Sequence, residues 1–82
     1  MNYEDSTKRV VKTSEELGGV LRRLRLRRNL TQQHIAEMLG IDRSTYTYYE
    51  KGEITPPIFT LIKLSEIFGV ELTTLFFVDV VE

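Results

Sequence analysis

Residues 31–52 read TQQHIAEMLGIDRSTYTYYEKG and give the strongest indication of the fold. Thr31 is a good N-terminal cap, apolar residues follow at helical spacing, and Gly40 suits the left-handed position that ends a helix. Asp42 can cap a second helix over residues 43–50. The pattern therefore predicts two short helices joined by a tight turn. The side chains expected to meet in their shared core are Ile35, Ala36, Leu39, Ile41, Tyr46 and Tyr49.

The chain on either side carries the signals of three further helices. Ser14 can cap a first helix, and the proline pair at 56–57 precedes another, because proline suits the first helical turn. Residues 71–76 fit a last short helix. The β-branched residues in 77–82 favour extended chain, and residues 8–12 share this character more weakly. We therefore predict an all-α fold, a compact five-helix domain flanked by short extended segments at both ends.

Length and composition limit the range of functions. The 82 residues suit one domain, which we divide into an N-terminal arm (1–13), a helical domain (14–76) and an apolar C-terminal tail (77–82). The chain has no cysteine and one histidine, His34, which we expect on the surface without a catalytic partner. We therefore expect no enzyme activity, no metal and no cofactor. The absence of a long apolar run or an export pattern predicts a cytoplasmic location.

The net charge of −1 conceals an uneven distribution along the chain. Residues 1–7 carry −2, residues 8–51 carry ten basic and five acidic side chains, and residues 52–82 carry −4. Lys and Arg neutralise phosphates, so a basic segment that includes the two-helix stretch is typical of a nucleic-acid partner. The average charge therefore does not exclude nucleic acid.

The two helices and the turn of residues 31–52 have helix-turn-helix geometry. The sequence around them closely resembles the lambda-repressor and Cro-like family, also called the xenobiotic-response-element (XRE) regulators, from residue 17 to about residue 75. Asn29 stands where the family often has glycine and Ser65 where it often has alanine, and neither departure affects the expected fold. The matching motifs are Leu17-Gly18, Leu21-Arg22, Leu24-Arg25, Thr31-Gln32, Ile35-Ala36, Gly40, Glu50-x-Gly52, Pro56 and Leu61-x-Lys63-Leu64.

The resemblance implies that the helix over residues 43–50 is a recognition helix that enters the major groove of double-stranded DNA. Arg43 is the strongest candidate for a base contact, because its guanidinium can donate two hydrogen bonds to guanine. Gln32 matches a glutamine that holds a DNA phosphate, and Arg25 and Glu50 match a structural ion pair. The implied base contacts are Arg43, Ser44, Thr47 and Tyr48, and the implied phosphate contacts are Gln32, Gln33, Lys51 and Arg22.

Some of these positions also have a plainer interpretation. Five arginines fall within residues 22–28, and a charged run on a helix is usually a solvated face. For Arg23 and Arg27 this interpretation is as good as a DNA contact, and it is also open for Arg22 and Gln33.

The predicted function is that of a sequence-specific DNA-binding transcriptional regulator, most simply a repressor that binds a palindromic operator as a homodimer. The alternative is a protein-interaction module, such as an antitoxin-like protein or an adaptor to a larger regulator, with secondary DNA binding. We expect no membrane partner and no small-molecule effector. The apolar tail is either a dimer interface or an intramolecular strand that covers the core, and both interpretations stay open. The candidate interface residues are Leu72, Phe76, Phe77, Val78 and Val80.

Overall fold

A computed structural model describes residues 7–80, which are mainly helical. In chain order the elements are β1 (Lys8–Val10), α1 (Ser14–Arg27), α2 (Gln32–Leu39), α3 (Arg43–Lys51), α4 (Ile58–Phe68), a 3₁₀ helix (Leu72–Phe76) and β2 (Phe77–Asp79). The predicted helical class is confirmed, since four α-helices and one 3₁₀ helix of the described residues occupy the five predicted positions. None of these helices has both the length and the apolar character needed to cross a membrane.

One apolar core lies between the helices. Tyr46 and Tyr49 of α3 are buried in it, as their spacing predicts, and their rings meet edge to face with centroids 6.2 Å apart. Ala36 of α2 is fully buried against the same core. The short helices are therefore stabilised mainly by their apolar faces. The buried apolar residues are Leu17, Val20, Leu21, Leu24, Ile35, Ala36, Tyr46, Tyr49, Leu61, Leu64, Phe68 and Leu75.

Side-chain caps begin the first two helices. Thr13, one residue before the predicted cap Ser14, accepts a hydrogen bond from the backbone N–H of Glu16 at 3.0 Å. Thr31 accepts one from the N–H of His34 at 3.0 Å, and the Nδ1 of His34 accepts one from the N–H of Thr31 at 3.3 Å. The second pair is a capping box in which histidine takes the place usually held by Glu or Gln.

Two left-handed residues shape the turns around α2. Gly40 ends α2 with φ of 70°, which opens the tight turn into α3. Asn29, in the loop after α1, has φ of 57°, a conformation that asparagine tolerates better than most residues and glycine adopts freely. Asp42 is the N-cap residue of α3, but its side chain makes no capping hydrogen bond.

β1 and β2 form a two-stranded antiparallel sheet within one chain, with Arg9 opposite Val78. Val78 packs against the core, whereas Val10 and Phe77 lie opposite each other on the exposed face of the sheet. Within one chain the tail thus pairs with residues 8–10 and covers part of the core. Residues 1–6 of the predicted arm and residues 81–82 of the predicted tail lie outside the described residues.

Candidate nucleic-acid interface

The candidate recognition helix α3 is packed directly against α1. At Gly18 of α1 a Cβ atom would collide with the backbone carbonyl oxygens of Tyr49 and Glu50. Only a residue without a side chain permits this approach. Gly18 therefore determines how closely α3 lies against the rest of the domain.

Arg25 and Glu50 form a buried, bidentate ion pair between α1 and α3. The Nε of Arg25 donates to Oε2 of Glu50 at 2.6 Å, and its Nη2 donates to Oε1 at 3.1 Å. Each residue is only 8% exposed. The Nη1 of Arg25 also donates to the carbonyl oxygen of Leu30 at 2.9 Å, which ties the loop before α2 to the same guanidinium. The structure thus brings together the two residues predicted as a structural pair.

The electrostatics of this pair favour both charged forms. Hydrogen bonding to Glu50 raises the pKa of Arg25 further above its ordinary value. Burial alone raises the pKa of Glu50, but the hydrogen bonds that its carboxylate accepts from Arg25 and Gln32 hold that pKa below its ordinary value. The pair is therefore ionised at neutral pH and connects α3 to α1 with charge-assisted bonds.

Gln32, the predicted phosphate contact at the start of α2, is anchored to α3 through both ends of its amide. Its Nε2 donates to Oε1 of Glu50 at 3.0 Å, and its Oε1 accepts from the Thr47 hydroxyl at 2.7 Å. Nε2 carries a second hydrogen and remains a donor for a ligand. The half-buried Thr47, predicted as a base contact, is also within 3.0 Å of the carbonyl oxygen of Arg43. Its hydroxyl is thus engaged inside the protein.

The remaining predicted base contacts lie on the exposed face of α3. Arg43 is its first residue and Ser44 its second, and both side chains are exposed. Tyr48, 41% exposed, lies one turn further on the same face. Lys51, also exposed, ends the helix. The face therefore offers hydrogen-bond donors along its whole length and cations at both ends.

A shallow depression connects the beginnings of α2 and α3, and Gln32, Gln33 and Arg43 line it together with the Arg25 side chain. This arrangement brings two predicted phosphate contacts beside the strongest predicted base contact. Gln33 is exposed and donates to Glu37 of its own helix at 3.0 Å. Arg22 lies elsewhere, in a separate depression on the outer face of α1 beside Gly19.

Several structural contacts of the site, including the hydrogen bond from Gln32 to Glu50, were not predicted from the sequence. The Leu30 carbonyl accepts from Arg25, and no residue pattern reports a backbone acceptor of this kind. The Thr47 to Gln32 hydrogen bond joins residues 15 positions apart, beyond the reach of helical periodicity. The capping role of His34 had a signal in its position three residues after Thr31.

A tight turn at Gly40 joins α2 to α3, and α3 is fixed on α1 with one face exposed, so fold and site define a helix-turn-helix domain of the lambda-repressor-like class. The helix-turn-helix family model matches residues 21–75. The chain belongs to this XRE-type helix-turn-helix family.

Three similar proteins illustrate the family. The chain is 38% identical over 55 residues to the cryptic phage CTXphi transcriptional repressor RstR of Vibrio cholerae, covering 67% of this chain and 50% of RstR. It is similar in structure to the restriction-modification controller protein C.AhdI from Aeromonas hydrophila, with a TM-score of 0.72, 30% identity, and coverage of 77% of this chain and 96% of that one. The biofilm master regulator SinR, whose structure is a complex with DNA, gives a TM-score of 0.66 and 27% identity over 72% of this chain and 95% of SinR. The match covers about half the length of RstR and of two other curated transcriptional regulators.

Proposed function

We propose that the protein is a sequence-specific DNA-binding transcriptional regulator that inserts α3 into the major groove. The exposed face of α3, held on α1 by the buried Arg25–Glu50 pair, is the observation that carries the proposal. A helix that contacts bases in the major groove needs exposed hydrogen-bond donors near its N-terminus and a rigid attachment on its opposite face. The DNA complex of the similar protein SinR supports the same role.

Within this proposal, Arg43 reads a base. An exposed guanidinium at the start of the recognition helix can donate two hydrogen bonds to guanine, a contact worth roughly 1–3 kcal/mol of discrimination. The test is selection of bound sequences from a random DNA pool by the wild type and by Arg43→Ala. We expect the variant to lose base preference at one position of each half-site.

Gln32→Ala is the matched comparison. Its Nε2 is placed for a phosphate contact, so its loss should weaken binding evenly for all sequences without changing the selected motif. If neither Arg43→Ala nor Gln32→Ala changes DNA affinity at moderate salt, α3 is not a recognition helix. A protein-interaction module would then be the better function.

We further propose that the regulator acts as a repressor on a palindromic operator, as a homodimer with half-sites about 34–36 Å apart. The name of RstR supports the repressor role. A single module of this size contacts little DNA, and two copies increase the contact area. Because DNA binding requires access to DNA, the proposal includes a cytoplasmic location, and it includes no catalytic activity.

The dimer proposal uses the exposed part of the predicted interface. Leu72, Phe76 and Val78 pack partly against the chain's own core, which leaves Phe77 and Val80 available. Phe77→Ser should therefore shift the molecule toward monomer in sedimentation. Phe59→Ser is the matched control, since Phe59 is 78% exposed on α4, outside the tail. If Phe59→Ser dissociates the dimer and Phe77→Ser does not, the dimer interface lies on α4 and not on the tail.

A further inference from the structure

A cleft of about 190 Å³ lies on the side of α1 that faces the terminal sheet. Its walls come from β1, α1, the 3₁₀ helix and β2, so it exists only because the two ends of the domain close over α1. Its lining combines apolar surface, two hydroxyls and four charged groups. The lining residues are Lys8, Val20, Arg23, Leu24, Arg27, Thr73, Thr74, Phe77 and Asp79.

The charges in this cleft are unbalanced. Lys8 donates to Asp79 at 2.8 Å, so these two groups neutralise each other. Arg23 and Arg27 make no hydrogen bond within residues 7–80, although both are close enough to Asp79 to help Lys8 lower the pKa of its carboxyl. Two arginines, one turn apart on the same helix, therefore line the cleft beside one carboxylate that Lys8 already neutralises, which leaves an excess of positive charge among the described lining residues.

The cleft lies on the opposite flank of α1 from the recognition helix. Gly18 and Arg25 mark the flank of α1 that contacts α3. Arg23 and Arg27 lie on the other flank, beside Val20 and β2. The exposed face of α3 thus makes no use of these two arginines, which also line the depression that holds Arg22.

We propose that this cleft binds a small phosphate monoester, held by Arg23 and Arg27. Guanidinium groups donate paired hydrogen bonds to phosphate oxygens, and two of them balance the charge of a phosphate dianion. Thr73 and Thr74 add hydroxyl donors to the lining, and Val20 and Leu24 of α1 give apolar surface to the group that the phosphate carries. The volume suits a compact molecule, since sites for drug-sized ligands are usually about 300 Å³ or larger.

The test is a titration of the full chain with phenyl phosphate, monitored by NMR at each ligand concentration in a phosphate-free buffer of low salt. We expect saturable shifts of the Thr73, Thr74 and Phe77 amides and of the Nε resonances of Arg23 and Arg27. Benzoate, which has the same ring but a single carboxylate charge, should bind more weakly because it accepts fewer charge-assisted hydrogen bonds from the two arginines.

Variants then assign the binding to the two arginines. The double variant Arg23→Gln/Arg27→Gln should bind phenyl phosphate at least about tenfold more weakly, because charge-assisted hydrogen bonds are lost. Arg28→Gln removes a neighbouring arginine outside the cleft and should bind as the wild type does. Far-UV circular dichroism of each variant verifies that the exposed substitutions leave the helices intact.

Three results would overturn the proposal. They are the absence of saturable shifts, shifts that persist in the double variant, and shifts centred on Gln32 and Arg43 instead of the cleft. A fourth measurement uses a random-sequence DNA duplex. If the affinity of the double variant for this duplex depends less on salt than that of the wild type, Arg23 and Arg27 contact the DNA backbone. The assignment of the cleft to a small ligand is then wrong.

Discussion

Replacing Arg25 by alanine tests the attachment of the recognition helix. The substitution removes the two hydrogen bonds to Glu50, at 2.6 and 3.1 Å, and the one to the Leu30 carbonyl at 2.9 Å. Glu50, which is 8% exposed in the wild type, would lose the cation that faces both of its carboxylate oxygens. An uncompensated buried carboxylate is therefore the main cost.

The size of that cost follows from the burial of both partners. Removing one partner of a buried ion pair typically lowers the free energy of unfolding by about 3–5 kcal/mol. Glu50 keeps its hydrogen bond from Gln32 at 3.0 Å, so we expect the lower end, about 3 kcal/mol. A domain of this size is stable by roughly 4–12 kcal/mol in total. The loss is thus a large part of the free energy of unfolding.

Urea unfolding followed by far-UV circular dichroism measures this effect. With an m value of about 1–1.5 kcal/mol/M for a small domain, the midpoint should fall by about 2–3 M. Arg22→Ala, an exposed arginine on the same helix, should stay within about 0.5 kcal/mol of the wild type. The double variant Arg25→Met/Glu50→Leu should recover much of the loss, because it leaves no buried charge. If Arg25→Ala and Arg22→Ala unfold alike, the buried pair does not hold α3.

Three further predictions address packing, pH and the site. Gly18→Ala should destabilise the fold by about 1–3 kcal/mol in the same urea assay because its Cβ meets the backbone of α3, whereas Gly19→Ala, with open space around it, should stabilise α1 by about 0.5–1 kcal/mol; equal effects would contradict the close approach. The hydrogen bonds from Arg9 and the Lys12 N–H lower the pKa of Glu16 from 4.5 to about 2, so this carboxylate stabilises the fold above the higher value and loses that effect as the pH falls toward the lower one. Melting temperatures from pH 6 to pH 2 should therefore fall less for Glu16→Gln than for the wild type, and parallel curves would assign the acid sensitivity to other groups. Thr47→Val should weaken binding to all DNA sequences alike if its hydroxyl only positions Gln32, whereas a changed motif in a random-pool selection would make it a base contact.

Local patterns predicted the helices well because their signals lie within a few residues of each other. Thr31 begins α2 because its side chain accepts a hydrogen bond from a free backbone N–H, and Gly40 ends α2 because it adopts a left-handed φ angle. The shared buried face of Tyr46 and Tyr49 follows from their three-residue spacing, although the edge-to-face arrangement of the rings does not. Even so, the cap of α1 is Thr13 and not the predicted Ser14. The sequence could not distinguish them, because two adjacent hydroxyl residues are equally good capping candidates.

Contacts between distant residues could not be predicted in the same way. The Arg25–Glu50 pair spans 25 positions, and only the family resemblance indicated it. The engagement of Gln32 by Thr47 depends on the crossing of α2 and α3, which periodicity does not report. The pairing of β1 with β2 was open for a related reason, because an apolar extended tail is compatible with a partner strand in its own chain or in another copy.

The folded structure also changes the meaning of the charge count. Residues 8–51 hold ten basic side chains, but within the described part of the chain several are already paired with carboxylates. Arg23 and Arg27 lie on the flank of α1 away from α3, so they add little to the field at the candidate DNA face. Few cations remain for phosphates on that face. Recognition should thus depend more on the hydrogen-bonding surface of α3 than on general attraction to DNA, which favours discrimination between sequences over tight non-specific binding. The paired basic residues are Lys8, Arg9 and Arg25.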